Sequence, residues 1–255
     1  MAGLYNPFSL EGKKILVTGA SSGIGRQCAI SCSHMGARAV LIGRNVERLE
    51  ETKTQLEGEG HSFYSYDLSQ IDGIKALVSQ IVEERGKFDG VISAAGIEKS
   101  APMKLLSPSD YESIFRVNTI SAFELIRHAT TIKSFNAPGS VVFISSITSV
   151  IARTTTCAYS ASKGALVSGA RVMAAELAKR KIRVNCISPG TILTPLMQNY
   201  LSQLSEEDYK KRVDGFPLGL GTTDDVANAC IYLLSDASRW VTGQNMIVDG
   251  GYTIK

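Results

Sequence analysis

The chain has 255 residues, of which 44% are hydrophobic, and its 27 basic side chains face 24 acidic ones. That composition excludes a disordered chain, and the net charge of +3 is too small and too scattered to argue for nucleic acid. No apolar run approaches membrane-spanning length and "MAGLYNPFSLEGKK" lacks the apolar core of a secretory leader, so the sequence predicts a soluble, cytoplasmic protein that binds neither nucleic acid nor membrane.

"KKILVTG" (13–19) is a short apolar run that breaks at glycine, which predicts a first strand. Residues Gly23 to Met35 have helical periodicity, and Gly36 ends them as a C-cap. "RAVLIG" (38–43) predicts a second strand, and an amphipathic helix follows from the N-cap Asn45. A third strand over 62–67, a helix over about 70–85 and a fourth strand over 88–96 come next. Ser107-Pro108 opens a long helix over 107–133, with serine at the cap and proline in the first turn. A second long helix is expected over 158–180, and residues 139–146, 181–190 and 243–251 complete the strands. Near-continuous apolar strands alternating with helices predict an α/β fold, a doubly wound, Rossmann-like parallel sheet of about seven strands covered by helices on both faces. No repeat or linker interrupts this order, so residues 1–255 read as one domain, with 193–220 as an insertion.

Cys28, Cys32, Cys157, Cys186 and Cys230 are odd in number and lack CxxC spacing, so they read as reduced thiols and small core residues. His34, His61 and His128 stand far apart, and no metal site is expected.

"TGASSGIG" (18–25) joins the first strand to the first helix through Gly19, Gly23 and Gly25. Glycine permits positive φ and close backbone approach, and the helix start offers unpaired N–H groups to a phosphate. A plain tight turn would use the same residues. The stretch Gly19–Gly23 also satisfies GxSxG, the nucleophile elbow of serine hydrolases. Chain order argues against that rival: one strand precedes the elbow, and the last histidine is His128.

"AYSASKGAL" (158–166) sets Tyr159 and Lys163 four residues apart, on one helix face. A free tyrosine titrates near pH 10, and a nearby fixed cation would lower that value toward a working range. Small neighbours on either side would admit a cofactor or substrate. Alone, the pair could equally be a solvated surface contact.

These motifs together resemble the short-chain dehydrogenase/reductase superfamily over essentially the whole chain. The likeness rests on "TGASSGIG", "SAAG" (93–96), Asn118 in "RVNTISAF", Ser146 in "ISSITS", "YSASK", "PGTILT" (189–194) and "VDGG" (248–251). Ser146 lies thirteen residues ahead of Tyr159, as the family's serine does, whereas Ser93 departs from the family's usual asparagine. The resemblance implies that Tyr159 exchanges the proton with the carbonyl oxygen while Ser146 hydrogen-bonds it. Lys163 would lower the tyrosine pKa and hold the nicotinamide ribose, and the Asn118 backbone carbonyl would hold a relay water. Gly19, Ser21, Ser22, Gly23, Ile24 and Gly25 would hold the dinucleotide at its phosphates. Asp67 and Leu68 would contact the adenine, with Ala94, Ala95 and Gly96 beside the cofactor. Pro189, Gly190, Thr191, Ile192 and Thr194 would sit at the nicotinamide amide. The implied activity interconverts a ketone and a secondary alcohol; a non-catalytic dinucleotide-binding sensor or scaffold is the alternative.

Cofactor choice turns on the end of the second strand, where NAD-selective sites carry an acid about twenty residues past the glycine turn. Here, eighteen residues after Gly25, Gly43 and Arg44 stand instead. Gly43 leaves room, and the Arg44 fork suits a 2′-phosphate, with Ser22 able to add a hydroxyl, so NADP(H) is expected. The substrate is a small carbonyl or alcohol, enclosed by 97–106, the stretch after Ser146 and the 193–220 insertion. That insertion reads equally as an apolar lid or as a short helix packed on the body. The layout is also similar to 3-oxoacyl-[acyl-carrier-protein] reductases, for which Lys179, Arg180, Lys181 and Arg183 would offer a basic landing patch. Family members of this size imply a homotetramer.

Overall fold

A computed structural model describes residues 5–254, so residues 1–4 and 255 of the predicted 1–255 domain, among them the first four residues of "MAGLYNPFSLEGKK", lie outside the described residues. Strands β1 (Lys14–Thr18), β2 (Arg38–Gly43), β3 (Ser62–Ser65), β4 (Phe88–Ser93), β5 (Phe135–Ile144), β6 (Ile182–Pro189) and β7 (Asn245–Val248) form one sheet. Their order is β3-β2-β1-β4-β5-β6-β7, and every neighbouring pair is parallel. Helices α1 (Gly23–His34), α2 (Val46–Thr54), α3 (Ile74–Arg85), α4 (Pro108–Phe115), α5 (Ser121–Ala129), α6 (Cys157–Leu177), α7 (Pro195–Leu201), α8 (Glu206–Val213) and α9 (Thr223–Leu234) connect them.

The period-2 geometry of the strands explains the two-sided core. In β1, Ile15 and Val17 face a cluster with Cys28 and Cys32 of α1 and Cys230 and Leu234 of α9. Leu16, between them, faces the opposite cluster, with Leu77 and Ile81 of α3, Leu125 of α5 and Leu166 and Ala170 of α6. The strands are therefore apolar on both faces, which is why they read as continuous runs.

Local signals set the helix starts. The Asn45 side chain accepts from the Arg48 N–H at 2.8 Å, and Ser107 with Asp110 closes a capping box ahead of Pro108. Gly36, at φ 89°, turns the chain out of α1 after the Met35 cap.

Several expected elements differ. The helix over 107–133 ends at Ala129 and is interrupted by a π-helical turn over Arg116–Ile120. The strand expected over 139–146 begins earlier, at Phe135, because Phe135 pairs with Phe88 ahead of a register shift. Cys157 is exposed, in contrast to the other four buried thiols, because it opens α6 on its outward side.

Candidate active site

The strand order reverses between β1 and β4, and in such sheets the crevice beyond the strand C-termini at that point receives ligands. A cleft of about 770 Å³ lies there, and every sequence-derived site residue lines it except Asn118, which is fully buried behind it.

Its floor is the glycine turn. Gly19 and Gly23 adopt φ of 67° and 53°, which only glycine adopts without strain. A Cβ on Gly19 would come within 3.0 Å of the Ala95 nitrogen, so glycine there admits the loop after β4. The Thr18 hydroxyl ties the same loop down by accepting from the N–H groups of Ala94 and Ala95, each at 3.1 Å. A Cβ on Gly25 would lie 2.4 Å from the Gly19 carbonyl oxygen, so α1 starts this close to β1 only with glycine. The first turn of α1, whose N–H groups lack intrahelical partners, therefore opens on the cleft beside Ser21 and Ser22. This Cβ-free cradle fits the diphosphate of a dinucleotide. No histidine lines the cleft, so Ser21 has no base for the chemistry of a nucleophile elbow.

At the end of β2 the exposed Arg44 lines the cleft together with Arg48. Gly43 leaves less room than its sequence suggests: a Cβ there would meet Leu49 Cδ2 at 3.2 Å and Ser21 Oγ at 3.3 Å, because α2 packs back over the strand end. Asp67 accepts from the Ser69 N–H at 2.9 Å, and that hydrogen bond holds its carboxyl below the usual range.

The catalytic candidates meet where β5 and α6 adjoin. Ser146 accepts from the Thr148 N–H at 3.2 Å and from its hydroxyl at 3.0 Å, which fixes its oxygen at the mouth of the cleft. Ser145, one residue earlier, points instead to α6 and donates to the Lys163 carbonyl at 2.9 Å. Lys163 is 4% exposed, and its ammonium donates to the Ile144 carbonyl at 2.8 Å and lies 5.8 Å from the Tyr159 ring centroid.

Electrostatics correct one expectation. Lys163 does not bring the tyrosine into a neutral working range here. Burial, with Glu98 adding to it, pushes Tyr159 up to about 12, against a hydrogen bond from Ser146 and the charge of Arg153. Burial likewise pushes the Lys163 ammonium down to about 8. For both groups burial outweighs the neighbouring charges. At neutral pH the phenol is therefore protonated and the lysine still carries its charge.

Asn118 is held by the π-helical turn. Its Nδ2 donates to the Ile97 carbonyl at 2.9 Å and to Ser162 Oγ at 3.0 Å, while its Oδ1 accepts from the Ile97 N–H at 2.7 Å. The extra residue in that turn rotates the side chain inward, a use often seen near functional sites. Asn118 thus links the loop after β4 to α6, and Gly96 in that loop is close enough that a Cβ would lie 3.2 Å from Lys163 Nζ.

The 193–220 stretch divides residue by residue. Leu201 and Phe216 are buried against the body, whereas Leu196 and Met197 line the cleft. Of the basic patch residues, Lys179 and Lys181 are exposed, whereas the two arginines bond backbone carbonyls. Arg183 donates to the carbonyls of Ser235 at 3.1 Å and Val241 at 3.4 Å, and Arg180 to that of Thr130. These residues also sit around the start of β6, at the opposite end of the strands from the cleft. Sequence reasoning missed Arg48 as a cleft residue and did not single out Glu98, Thr148 or Arg153, although they fall within the stretches expected to enclose the substrate. Only their positions, a turn beyond Arg44 or a few residues past Gly96 and Ser146, could have signalled them.

Fold and cleft together define a nucleotide-cofactor enzyme of the doubly wound type. A family model described as enoyl-(acyl carrier protein) reductase matches residues 19–253. The chain is 33% identical over 248 residues to glucose 1-dehydrogenase of Gluconobacter oxydans, covering 95% of this chain and 92% of that protein. It is 31% identical over 248 residues to the 3-oxoacyl-[acyl-carrier-protein] reductase FabG of Thermotoga maritima, covering 96% and 99%. A chain from Agrobacterium tumefaciens solved with bound NADP superposes with a TM-score of 0.86 at 29% identity, covering 98% of this chain and all of that one. The protein belongs to the short-chain dehydrogenase/reductase superfamily of oxidoreductases. Among the described residues no helix is long and apolar enough to cross a membrane, and no cluster of three metal-ligating side chains occurs.

Proposed function

We propose that the protein is an NADP(H)-dependent oxidoreductase that interconverts a ketone and a secondary alcohol, with the whole chain acting as one catalytic domain. The observation that carries this reading is the meeting of Ser146, Tyr159 and Lys163 on the lining of the same cleft that the glycine turn opens. A nicotinamide dinucleotide, when bound, supplies the hydride. The glycine turn and α1 would hold its diphosphate, Arg44 and Arg48 its 2′-phosphate, and the stretch Pro189–Thr194 its nicotinamide end. The protein's own contribution is the proton and the electrostatics. The Tyr159 phenol, protonated at neutral pH, donates to the carbonyl oxygen as negative charge grows there. The Ser146 hydroxyl hydrogen-bonds the same oxygen and stabilises that charge. Lys163 holds ribose hydroxyls through its ammonium, and its charge stabilises the phenolate left after proton transfer. Asn118 positions the loop after β4 against Lys163.

A free small molecule fits better than a carrier-bound acyl chain, since two of the four patch residues spend their guanidinium groups on backbone carbonyls far from the cleft. The test is cofactor oxidation by the purified protein across a panel of ketones, with NADPH and NADH side by side. Ketone-dependent oxidation of NADPH at about ten times the kcat/KM of NADH, or more, is expected. Cofactor binding without turnover of any carbonyl or alcohol would favour the sensor reading instead.

A further inference from the structure

Beyond Tyr159 the cleft carries charges that carbonyl reduction itself does not use. Glu98 and Arg153 line it, both exposed, and neither enters an ion pair among the described residues. Arg212, from α8 in the insertion, leans onto the same wall. Its guanidinium donates to the hydroxyl of the cleft residue Thr191 at 3.2 Å and stacks 5.6 Å from the Tyr200 ring centroid. Its Nε is buried without a hydrogen-bond partner, an arrangement that leaves a donor unsatisfied.

Burial and then Arg153 disfavour the charged form of Arg212, while Tyr200, Tyr252 and Glu98 offset this only in part. Arg153 and Glu98 also act on Tyr159 itself, with opposite signs, so these two charges stand within electrostatic reach of the reacting hydroxyl. Two guanidiniums and one carboxylate leave one positive charge over, apart from Lys163. A neutral ketone would leave the repulsion as it is. A monoanion would relieve it, and a planar carboxylate matches the donor fork of arginine. A doubly charged phosphate would gain less, because Glu98 shares the wall.

We propose that the substrate carries a carboxylate that docks on Arg153 and Arg212, so that the protein acts on hydroxy acids and the corresponding oxo acids. This rests on the reading above that the carbonyl reacts at Tyr159.

The test is calorimetric titration of the protein saturated with NADP+, a complex that cannot reduce the added ketone. Matched pairs are compared: acetoacetate with acetoacetamide, 4-oxopentanoate with its amide, and 5-oxohexanoate with its amide. The acid is expected to bind about tenfold tighter in at least one pair. Arg212→Met and Arg153→Gln should each remove most of that preference by weakening the acid far more than the amide, and Glu98→Gln should enlarge it. A preference below about fivefold in every pair, or one that survives both arginine substitutions, overturns the proposal. Because binding is read without turnover, this failure is distinct from failure of Tyr159 as the proton donor, which leaves the titrations unaffected.

Discussion

Replacing Asn118 by leucine tests whether the π-helical turn holds the active site together. The two side chains share a branched Cγ, so the exchange leaves little empty space and acts mainly by removing polar atoms. Three hydrogen bonds disappear: two with the Ile97 backbone and one with the fully buried Ser162 hydroxyl. Ile97 is 36% exposed, so water can reach its freed N–H and carbonyl, and Ser162 keeps its bond to the Tyr159 carbonyl at 2.7 Å. Each loss is then an ordinary net contribution of about 1 kcal/mol, giving roughly 3 kcal/mol in all. For a chain of this length that corresponds to a fall in Tm of about 6–12 °C. Thermal unfolding followed by circular dichroism reads the effect, and turnover should drop with it because the loop after β4 loses its tie to α6. A Tm within about 2 °C of the unmodified protein would refute the reasoning.

Gly43→Asp combined with Arg44→Ala should reverse cofactor preference, because it removes a donor fork and sets a carboxylate at the ribose edge. Equal kcat/KM for NADPH and NADH in the unmodified protein would rule out that assignment. Lys163→Met should abolish turnover yet raise the urea midpoint at pH 7, since it removes an ammonium that burial pushes down to about 8. Between pH 8 and the ordinary lysine value of 10.5 the unfolded chain holds a proton that the folded one has released, so the unmodified protein gains stability with rising pH and the gap closes. A midpoint at pH 7 that falls on substitution would contradict a desolvated lysine.

What the sequence makes legible is whatever is local. Alternating apolar strands and helices predict the sheet, Asn45 and Ser107 announce their helices, and the Tyr159–Lys163 spacing puts both side chains on one face of α6. The π-helical turn is not legible, because "RVNTI" differs in no local propensity from the helix around it. Its inward Asn118 is explained by Ile97 and Ser162, which are distant in sequence. Gly43 suggests space because a missing side chain does not report that Leu49 and Ser21 close over it. The tyrosine pKa goes the other way from a pairwise argument, since a single pair of residues carries no information about burial. Glu98, Arg153 and Arg212 lie on three separate segments, and only the fold brings them to one cleft wall.

Tyr159→Phe tests the central claim most directly, because it removes one hydroxyl and leaves the ring in place. Single-turnover oxidation of bound NADPH by an accepted ketone is measured beside the cofactor Kd, from fluorescence of the bound nicotinamide. The rate should fall by about a thousandfold while the Kd stays within about twofold. A variant that keeps more than about a tenth of the unmodified rate would show that the proton comes from elsewhere.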